Sequence, residues 1–270
     1  MALKFPVHPR VAVSQISSWK WSLDEDLAFF KSEGIHCMGI LLPKLHDIPG
    51  DLRKIQAAGM RVSNVSAIGN KLIGPEARPA VDSLRPGIDV AAATGATCYF
   101  TTGPVPGRMP TDEAYELLVP AIRPAVEYAR GKGVRLAIEP NATGTRDNGF
   151  IHTITDAVEL CRDTGLDICL ELQNCWVERH IERLFREHVA RFAIVQVSDF
   201  KVGQNPRMNR WVPGDGDLPL EWLLGRLLDA GYKGLFEIEL LGRHNFEEGY
   251  GATISRSVDW LSERLTRWGA

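Results

Sequence analysis

Short apolar segments alternate with longer amphipathic stretches along the whole chain, a pattern typical of repeated βα units around a parallel sheet. Eight such segments predict strands, and this number matches a closed barrel in which a helix follows every strand. No linker, low-complexity tract or shift in composition divides the chain. We therefore predict an α/β protein whose residues 1–270 form one domain, a single (β/α)8 TIM barrel. The predicted strands are 10–16, 37–42, 61–68, 97–102, 135–140, 167–172, 192–198 and 234–240.

The stretches between the strands carry helix start and stop signals. Ser22, with Glu25 three residues later, predicts a capping box, and Gly34 marks the end of the same helix. A second helix is predicted over 111–133, where Pro120 and Pro124 favour a kink or a break into two pieces. Residues 257–269 predict the last helix, which closes the ring.

Four successive strands carry polar residues near their C-terminal ends. Alternate residues of a barrel strand point to the barrel axis, and functional sites form where the strands end at the C-terminal face. By this alternation, one polar side chain of each of the last four strands points toward the barrel axis. Glu237 points the same way but lies one layer deeper in the barrel than Glu239. The residues of the upper layer are Glu139, Glu171, Gln196 and Glu239.

Three carboxylates and an amide oxygen in one buried place repel one another unless a cation lies among them. All-oxygen ligands favour a hard divalent ion, so the pattern predicts Mg2+ or Mn2+ as cofactor rather than zinc. The alternative is that polar residues in the barrel interior are structural. That alternative is favoured for Glu237, for which Arg135 is a candidate partner.

Composition narrows the class of protein. With 44% hydrophobic and 24% charged residues, the chain is typical of ordinary soluble globular proteins. A formal charge of −3, with no basic run interleaved with aromatic residues, argues against nucleic acid as a partner. No apolar run approaches the ~18 residues of a membrane span, and prolines interrupt the N-terminus, so we expect a cytoplasmic protein with no membrane partner. The five scattered cysteines predict reduced core thiols.

Several segments resemble the sugar phosphate isomerase/epimerase superfamily, the xylose isomerase-like barrels that include ketose 3-epimerases, hydroxypyruvate isomerase and inosose dehydratase. These segments are RLAIEPN (135–141), LELQN (170–174), VQVSD (195–199) and the run 210–239. In that run, a Pro-Gly-x-Gly loop leads through a helix and Gly-Tyr-x-Gly into a strand that ends in glutamate. The resemblance spans nearly the whole chain and implies that the metal ligands are Glu139, Glu171, Gln196 and Glu239.

Three positions depart from the pattern of this superfamily. Glu171 stands for an aspartate, Gln196 for a histidine, and Asn174 for a histidine that normally follows in the same loop. Because a glutamine carbonyl is a weaker oxygen donor, a barrel that binds ligands without metal and without catalysis is one alternative. None of the seven histidines lies at these strand ends, which argues against the DNA-repair branch of the superfamily.

The reaction that the resemblance implies begins with removal of a proton beside a carbonyl, and the metal stabilises the resulting enediolate. Glu139 and Glu239 would exchange protons on the two faces of this intermediate, which permits epimerisation. A single base would suit isomerisation or elimination of water. We therefore predict an isomerase or epimerase of a sugar, keto-sugar or related polyol. The alternative enzyme is a lyase, a dehydratase or β-eliminase of a keto-sugar, keto-glycoside or keto-polyol.

Loops at the same end of the barrel supply candidate substrate-binding residues. Arg210, before the Pro-Gly-x-Gly loop, is a candidate for binding substrate oxygen, although a loop arginine is as often solvated or structural. His152, beside a predicted helix start, is a candidate auxiliary acid or base, with a structural role as the favoured alternative. The predicted set is Arg210, Asn174, His152, Trp176 and Trp211.

Four tryptophans fall after predicted strands or in loops on this rim, where flat aromatic faces can pack against a ring or an apolar substrate. They favour a substrate larger or less polar than a phosphorylated triose, and the alternative is that some of them only fill loops. The predicted partner is thus a small carbohydrate-like molecule, and the sequence leaves a homo-oligomer open. The tryptophans are Trp19, Trp21, Trp176 and Trp211.

Overall fold

The computed structural model describes residues 3–68, 70–142, 145–205 and 208–270. Within these residues, eight parallel strands pair in sequence order, and the last strand pairs with the first, so the sheet closes into a barrel. The predicted (β/α)8 barrel is confirmed. The strands are β1 Val11–Ser14, β2 Cys37–Leu41, β3 Arg61–Ala67, β4 Thr97–Phe100, β5 Leu136–Ile138, β6 Asp167–Glu171, β7 Phe192–Val197 and β8 Phe236–Ile238.

The strands form where short apolar runs are buried on both faces, one against the helices and one inside the barrel. All five residues of β2 are buried, as are the last five of β3. Cα partners in neighbouring strands include Glu171 with Gln196 and Gln196 with Glu237. This register fixes which polar side chains meet at the barrel axis, because a slip by one residue would turn them outward.

All eight predicted strands are present, and each is shorter than its apolar run. β5 and β8 have three residues each, and Glu139 and Glu239 follow directly after them. The Glu139 N–H donates to the carbonyl of Phe100 (3.0 Å), and the Glu239 N–H donates to that of Val197 (3.2 Å). The two glutamates are therefore still held by neighbouring strands.

Helices cover the outside of the barrel. In α1 the Ser22 hydroxyl accepts from the Glu25 N–H while the Glu25 carboxylate accepts from the Ser22 N–H, so the predicted capping box is confirmed. The helix ends at Gly34, whose φ of 69° favours a residue without Cβ. The helices are α1 Leu23–Glu33, α2 Ile48–Ala57, α3 Ala80–Thr94, α4 Thr111–Gly131, α5 Ile154–Thr164, α6 Leu172–Cys175, α7 Ile181–His188, α8 Leu220–Asp229, α9 Arg243–Glu248 and α10 Tyr250–Arg267.

Two helices differ from the expectation. α4 runs without interruption, so Pro120 and Pro124 do not break it into two pieces. Both prolines are exposed and lie four residues apart on one face, so the carbonyls that lack an N–H partner face water. α10 begins at Tyr250 rather than at 257, directly after Gly249, whose φ of 98° ends α9. A glycine at a positive φ, rather than a side-chain cap, sets this helix start.

The buried apolar side chains form two groups. The larger group lies between the strands and the helices, and a small group fills the barrel interior. Three members of the small group precede Glu139, Glu171 and Gln196 by two positions, so the predicted inward alternation is observed. The members are Tyr99, Ala137, Cys169 and Ile194.

All five cysteines are buried and free, in agreement with the predicted core thiols. Among the described residues, no helix has both the length and the apolar character needed to cross a bilayer.

A buried ion pair joins α1 to the segment after β2. Lys44 Nζ lies 2.8 Å from Oδ2 of Asp26, and the same carboxylate accepts hydrogen bonds from Ser18 and Gln15. Asp26 is fully buried and Lys44 is nearly so. Burial raises the pKa of Asp26 and lowers that of Lys44, so desolvation opposes both charges and their attraction compensates for it.

We predict that Asp26→Asn lowers the free energy of unfolding by about 3 kcal/mol, because it leaves the Lys44 ammonium buried without a counter-ion. The matched control is Asp24→Asn in the same helix. Asp24 pairs with Lys54 at the surface, with side chains 70% and 50% exposed, where an ion pair contributes ~0–1 kcal/mol. Urea denaturation of both variants measures the difference, and equal losses would contradict the importance of the buried pair.

Candidate active site

Four strands deliver polar side chains to the C-terminal mouth of the barrel. Glu171 ends β6, Gln196 lies in β7, and Glu139 and Glu239 follow β5 and β8. All four side chains are buried, the most exposed being Glu139 at 4%. The structure thus gathers the four residues that the sequence predicted as metal ligands.

The guanidinium of Arg210 lies among the three carboxylates. Its Nε lies 3.1 Å from Oε2 of Glu171. Its Nη2 lies 3.3 Å from Oε1 of Glu139 and 3.4 Å from Oε1 of Glu239. Two backbone hydrogen bonds between Arg210 and Leu241 hold the loop after β7 against the end of β8. Arg210 is thus the counter-ion of this site, and its predicted role in binding substrate stays a prediction.

Glu237 lies one layer deeper and does not pair with Arg135, so that expectation is wrong. Its carboxylate accepts hydrogen bonds from Ser63 (2.8 Å), from Asn64 and from Gln196 (3.4 Å). Arg135 precedes the first residue of β5, and its half-exposed guanidinium pairs with Asp167, the first residue of β6, at the opposite end of the strands from Glu139 and Glu171. Neutral donors on β3 and β7, rather than a buried cation, therefore surround Glu237.

Gln196 connects the two layers. Its amide nitrogen donates to the Tyr99 hydroxyl oxygen (3.2 Å), to Glu237 and to Glu239. Its carbonyl oxygen accepts from the thiol of Cys169 (3.2 Å). The amide nitrogen of Gln196, and not the oxygen predicted as a metal ligand, thus faces Glu239.

Burial makes the carboxyl groups hard to ionise. It raises the pKa of Glu139 to about 8 and that of Glu171 to about 7, and it raises the pKa of Glu239 as well. Arg210 opposes each rise, and for Glu139 the neighbouring Glu239 adds to it. Burial by itself lowers the pKa of Arg210, but the carboxylates outweigh it and raise that pKa. One guanidinium does not balance three carboxylates, so this site binds and releases protons near neutral pH.

A cavity of about 220 Å³ opens at these residues and is called here the inner cavity. Glu139, Glu239 and Arg210 line it together with Asn174, and Trp19 lies at its edge. Its volume is below the ~300–1,000 Å³ of pockets for drug-sized ligands. The inner cavity therefore admits one small molecule, of the size of a monosaccharide.

The other predicted substrate-binding residues have different environments. Asn174 donates to Oε1 of Glu139 (3.3 Å) and lines the inner cavity. His152, Trp176 and Trp211 lie outside its lining. The ring of Trp211 stacks on a histidine at 3.6 Å, and Trp176 packs against the core.

Several residues of the cavity lining were not predicted from the sequence, among them Tyr99, Thr101 and Asn141. Tyr99 donates to Oε2 of Glu239 (3.4 Å). Thr101 Oγ1 and Asn141 Oδ1 are buried in the cavity wall and have no hydrogen-bond partner among the described residues. Both atoms are shielded from solvent, so a ligand hydroxyl group would reach them only after a small shift of the wall. Applying the inward alternation to β4 would have found Tyr99 and Thr101.

The family model for xylose isomerase-like TIM barrels matches residues 52–264. The chain belongs to the xylose isomerase-like TIM barrel family. No curated protein matches its sequence.

Several solved structures resemble this xylose isomerase-like barrel. The protein SMc04130 from Sinorhizobium meliloti 1021 is 20% identical with a TM-score of 0.86, over 96% of this chain and 98% of that one. The IolI protein with a bound zinc atom is 14% identical with a TM-score of 0.81, over 96% of this chain and 98% of that one. The 3-keto-D-glucoside 4-epimerase YcjR from E. coli is 15% identical with a TM-score of 0.76, over 93% of this chain and 98% of that one. At these identities the likeness shows the fold alone.

The xylose isomerase-like family implies a divalent metal, and the residues present fit one by ligand chemistry and by charge. Three carboxylates offer the oxygen ligands that hard ions prefer, and burial raises the pKa values of Glu139 and Glu171 although Arg210 opposes the rise, so a further cation would favour their ionised forms. Arg210 lies between these carboxylates, and the described residues contain no group of three His, Cys, Asp or Glu placed to hold a metal ion. A metal ion at this position therefore requires the guanidinium to move.

We predict that Glu237→Gln changes the pH dependence of stability. Burial raises the pKa of Glu237 from 4.5 to about 8, so the folded protein keeps this proton over a range in which the unfolded chain has lost it. The contribution of this proton to the free energy of unfolding is complete at pH values below the pKa of Glu237 in the unfolded chain. It is lost as the pH rises through the pKa of Glu237 in the folded protein. Glutamine has no such proton, so the variant should gain a few kcal/mol relative to wild type between about pH 5 and about pH 9.

Urea denaturation at both pH values, with chelator present, measures this gain. The control is Glu116→Gln on the exposed face of α4, which should leave the pH dependence unchanged. Identical pH dependence in wild type and Glu237→Gln would mean that Glu237 is ionised in the folded protein.

Proposed function

We propose that the protein is an isomerase or epimerase of a sugar, keto-sugar or related polyol. The observation that carries this proposal is the pair of buried carboxyl groups of Glu139 and Glu239, which line one small cavity and contact the same nitrogen of Arg210. A general acid or base works best when its pKa lies near the working pH, and burial shifts both groups in that direction. The E. coli epimerase that shares this fold supports the same class of reaction.

In the proposed reaction, the two glutamates have complementary protonation states. Their mutual repulsion in a desolvated site favours one ionised and one protonated carboxyl group. The ionised group removes the proton beside the substrate carbonyl, and the other returns a proton. Return to the opposite face of the same carbon gives an epimer. Return to the neighbouring carbon, with the hydroxyl proton passing to the former carbonyl oxygen, gives an isomer.

Neighbouring side chains position this pair. Gln196 and Tyr99 both bond to Oε2 of Glu239, and Asn174 donates to Glu139. Nη2 of Arg210, in contact with both glutamates, places positive charge where negative charge develops on the substrate oxygens.

The metal ligands in this proposal are Glu139, Glu171 and Glu239, with Gln196 as the fourth once its amide turns to point the oxygen, which now accepts from Cys169, toward Glu239. A divalent ion, Mn2+ or Mg2+, would supply positive charge that polarises the carbonyl and hydroxyl oxygens of the substrate. Arg210 would then be free to bind substrate oxygen, the role predicted from its place in the loop.

We expect wild-type protein with Mn2+ to exchange the hydrogen beside the carbonyl of a ketose or keto-sugar for deuterium in D2O, observed by NMR. Glu139→Gln and Glu239→Gln remove one proton acceptor each and should slow this exchange by about 100-fold or more. Glu116→Gln, an exposed charge on α4, is the control. Unchanged exchange in both cavity variants would refute the proposed acid–base pair, and a dehydrated product would assign a lyase instead.

A second prediction concerns the cation of the site. Arg210→Met removes the guanidinium from among the three carboxylates, so we expect tighter binding of Mn2+ in calorimetric titrations. Arg243→Met, which removes an exposed guanidinium paired with Glu247, is the control. Equal affinity of wild type and Arg210→Met would show that the guanidinium does not compete with the ion. Failure of both proteins to bind Mn2+ would remove the metal from the proposed mechanism.

A further inference from the structure

A second cavity, of about 680 Å³, lies beside the inner cavity and is called here the outer cavity. The loops after β1 and β2 and the starts of α1 and α2 form its wall. Trp19 is the residue that the two linings have in common. The outer cavity has about three times the volume of the inner one, and the two meet at Trp19.

The indole of Trp19 is free to contact a ligand. Its side chain is 50% exposed, and the described residues include no aromatic or cationic partner for its ring. Trp21, two residues later, differs because its ring packs edge-on against Phe29 (5.2 Å) and Tyr250 (5.7 Å). Trp21 therefore supports the wall, and Trp19 offers a flat apolar face between the two cavities.

The charges of the outer cavity disfavour an anionic ligand. Its three lysines are already engaged: Lys44 Nζ with Asp26 (2.8 Å), Lys54 Nζ with Asp24 (2.9 Å), and Lys20 Nζ over the ring of a phenylalanine (3.8 Å). The same lining contains four aspartates and glutamates. With the adjacent Asp26, carboxylates outnumber these three lysines, so a phosphate group would meet net negative charge, whereas a neutral ligand would not be repelled.

The rim of the outer cavity offers polar side chains on a fixed turn. The Asp51 carboxylate accepts hydrogen bonds from the backbone N–H groups of His46 (3.0 Å) and Asp47 (3.1 Å), which holds this turn in place. The side chains of His46 and Asp47 are exposed along the lining. A flat apolar face beside exposed donors and acceptors suits a sugar ring, which presents C–H groups on its faces and hydroxyl groups at its edge.

We propose that the outer cavity binds a neutral sugar unit joined to the unit that reacts, so that the substrate is a glycoside or disaccharide rather than a free or phosphorylated monosaccharide. The reacting keto unit occupies the inner cavity, and the second unit stacks on Trp19 and bonds to the His46 and Asp47 turn. This inference rests on the proposed function for the inner cavity and adds the class of substrate.

The test is binding by calorimetry with probes that share D-fructose and differ in what is joined to it and at which position. D-fructose supplies the keto unit alone, and isomaltulose, turanose, maltulose and lactulose supply it joined to a neutral sugar. D-fructose 6-phosphate supplies it with an anion. We expect at least one disaccharide to bind wild-type protein about tenfold more tightly than D-fructose, and the phosphate to bind no better than D-fructose.

Two variants test whether Trp19 and His46 cause the tighter binding of the disaccharide. Trp19→Ala and His46→Ala should each weaken the binding of that disaccharide by about tenfold, and His46→Ala should leave D-fructose binding unchanged. The control is Trp222→Ala, an equally exposed tryptophan (47%) in a different cavity. The proposal is overturned if no disaccharide binds more tightly than D-fructose, if the phosphate binds more tightly than the disaccharides, or if neither variant reduces the gain.

The same samples separate this inference from the proposed function. If D-fructose exchanges hydrogen in D2O but a second sugar unit does not tighten binding, the proposed function remains and the outer subsite is refuted. Disaccharide binding that depends on Trp19 and His46, without exchange of the hydrogen beside the carbonyl, confirms the outer subsite and removes the proposed reaction.

Discussion

Mutual repulsion among buried carboxylates at the barrel mouth is the constraint on which the rest of the site depends. The strand register brings Glu139, Glu171 and Glu239 to one place, and the closed barrel keeps water from separating their charges. Arg210 reaches all three from the loop after β7, and Leu241 holds the backbone of Arg210 there. Because one guanidinium does not neutralise three carboxylates, protons or a further cation must supply the remaining positive charge. This requirement suits the site to acid–base chemistry.

Glu237 and Glu239 show how two like residues on one face of one strand acquire different roles. They lie two positions apart, and both are buried. Glu239 borders the inner cavity and contacts Arg210, whereas Glu237 is enclosed by the neutral donors Ser63, Asn64 and Gln196. The deeper carboxyl group is satisfied by fixed hydrogen bonds within the barrel, and the upper one remains accessible to a ligand.

The outer cavity depends on a different set of contacts, at the other side of Trp19. The buried pair of Asp26 and Lys44 fixes the loops after β1 and β2, and it also occupies the lysine that would otherwise attract an anion. The stability of this wall and the expected preference for neutral ligands therefore have one physical origin. In the proposed arrangement, a rigid loop pair lies beside the carboxyl groups of Glu139 and Glu239, so a larger substrate would be accommodated without a change at these groups.

The sequence by itself determined the eight strands, the capped first helix and the inward direction of Glu139, Glu171, Gln196 and Glu239, because side-chain direction along a strand follows from local alternation. Tertiary structure alone decided the partners of these residues. Arg210 lies among the carboxylates, Arg135 turns away from Glu237, and Trp211 stacks on His244 outside the inner cavity. Each of these outcomes depends on contacts between residues far apart in the chain and on loop conformation, neither of which hydrophobic periodicity encodes.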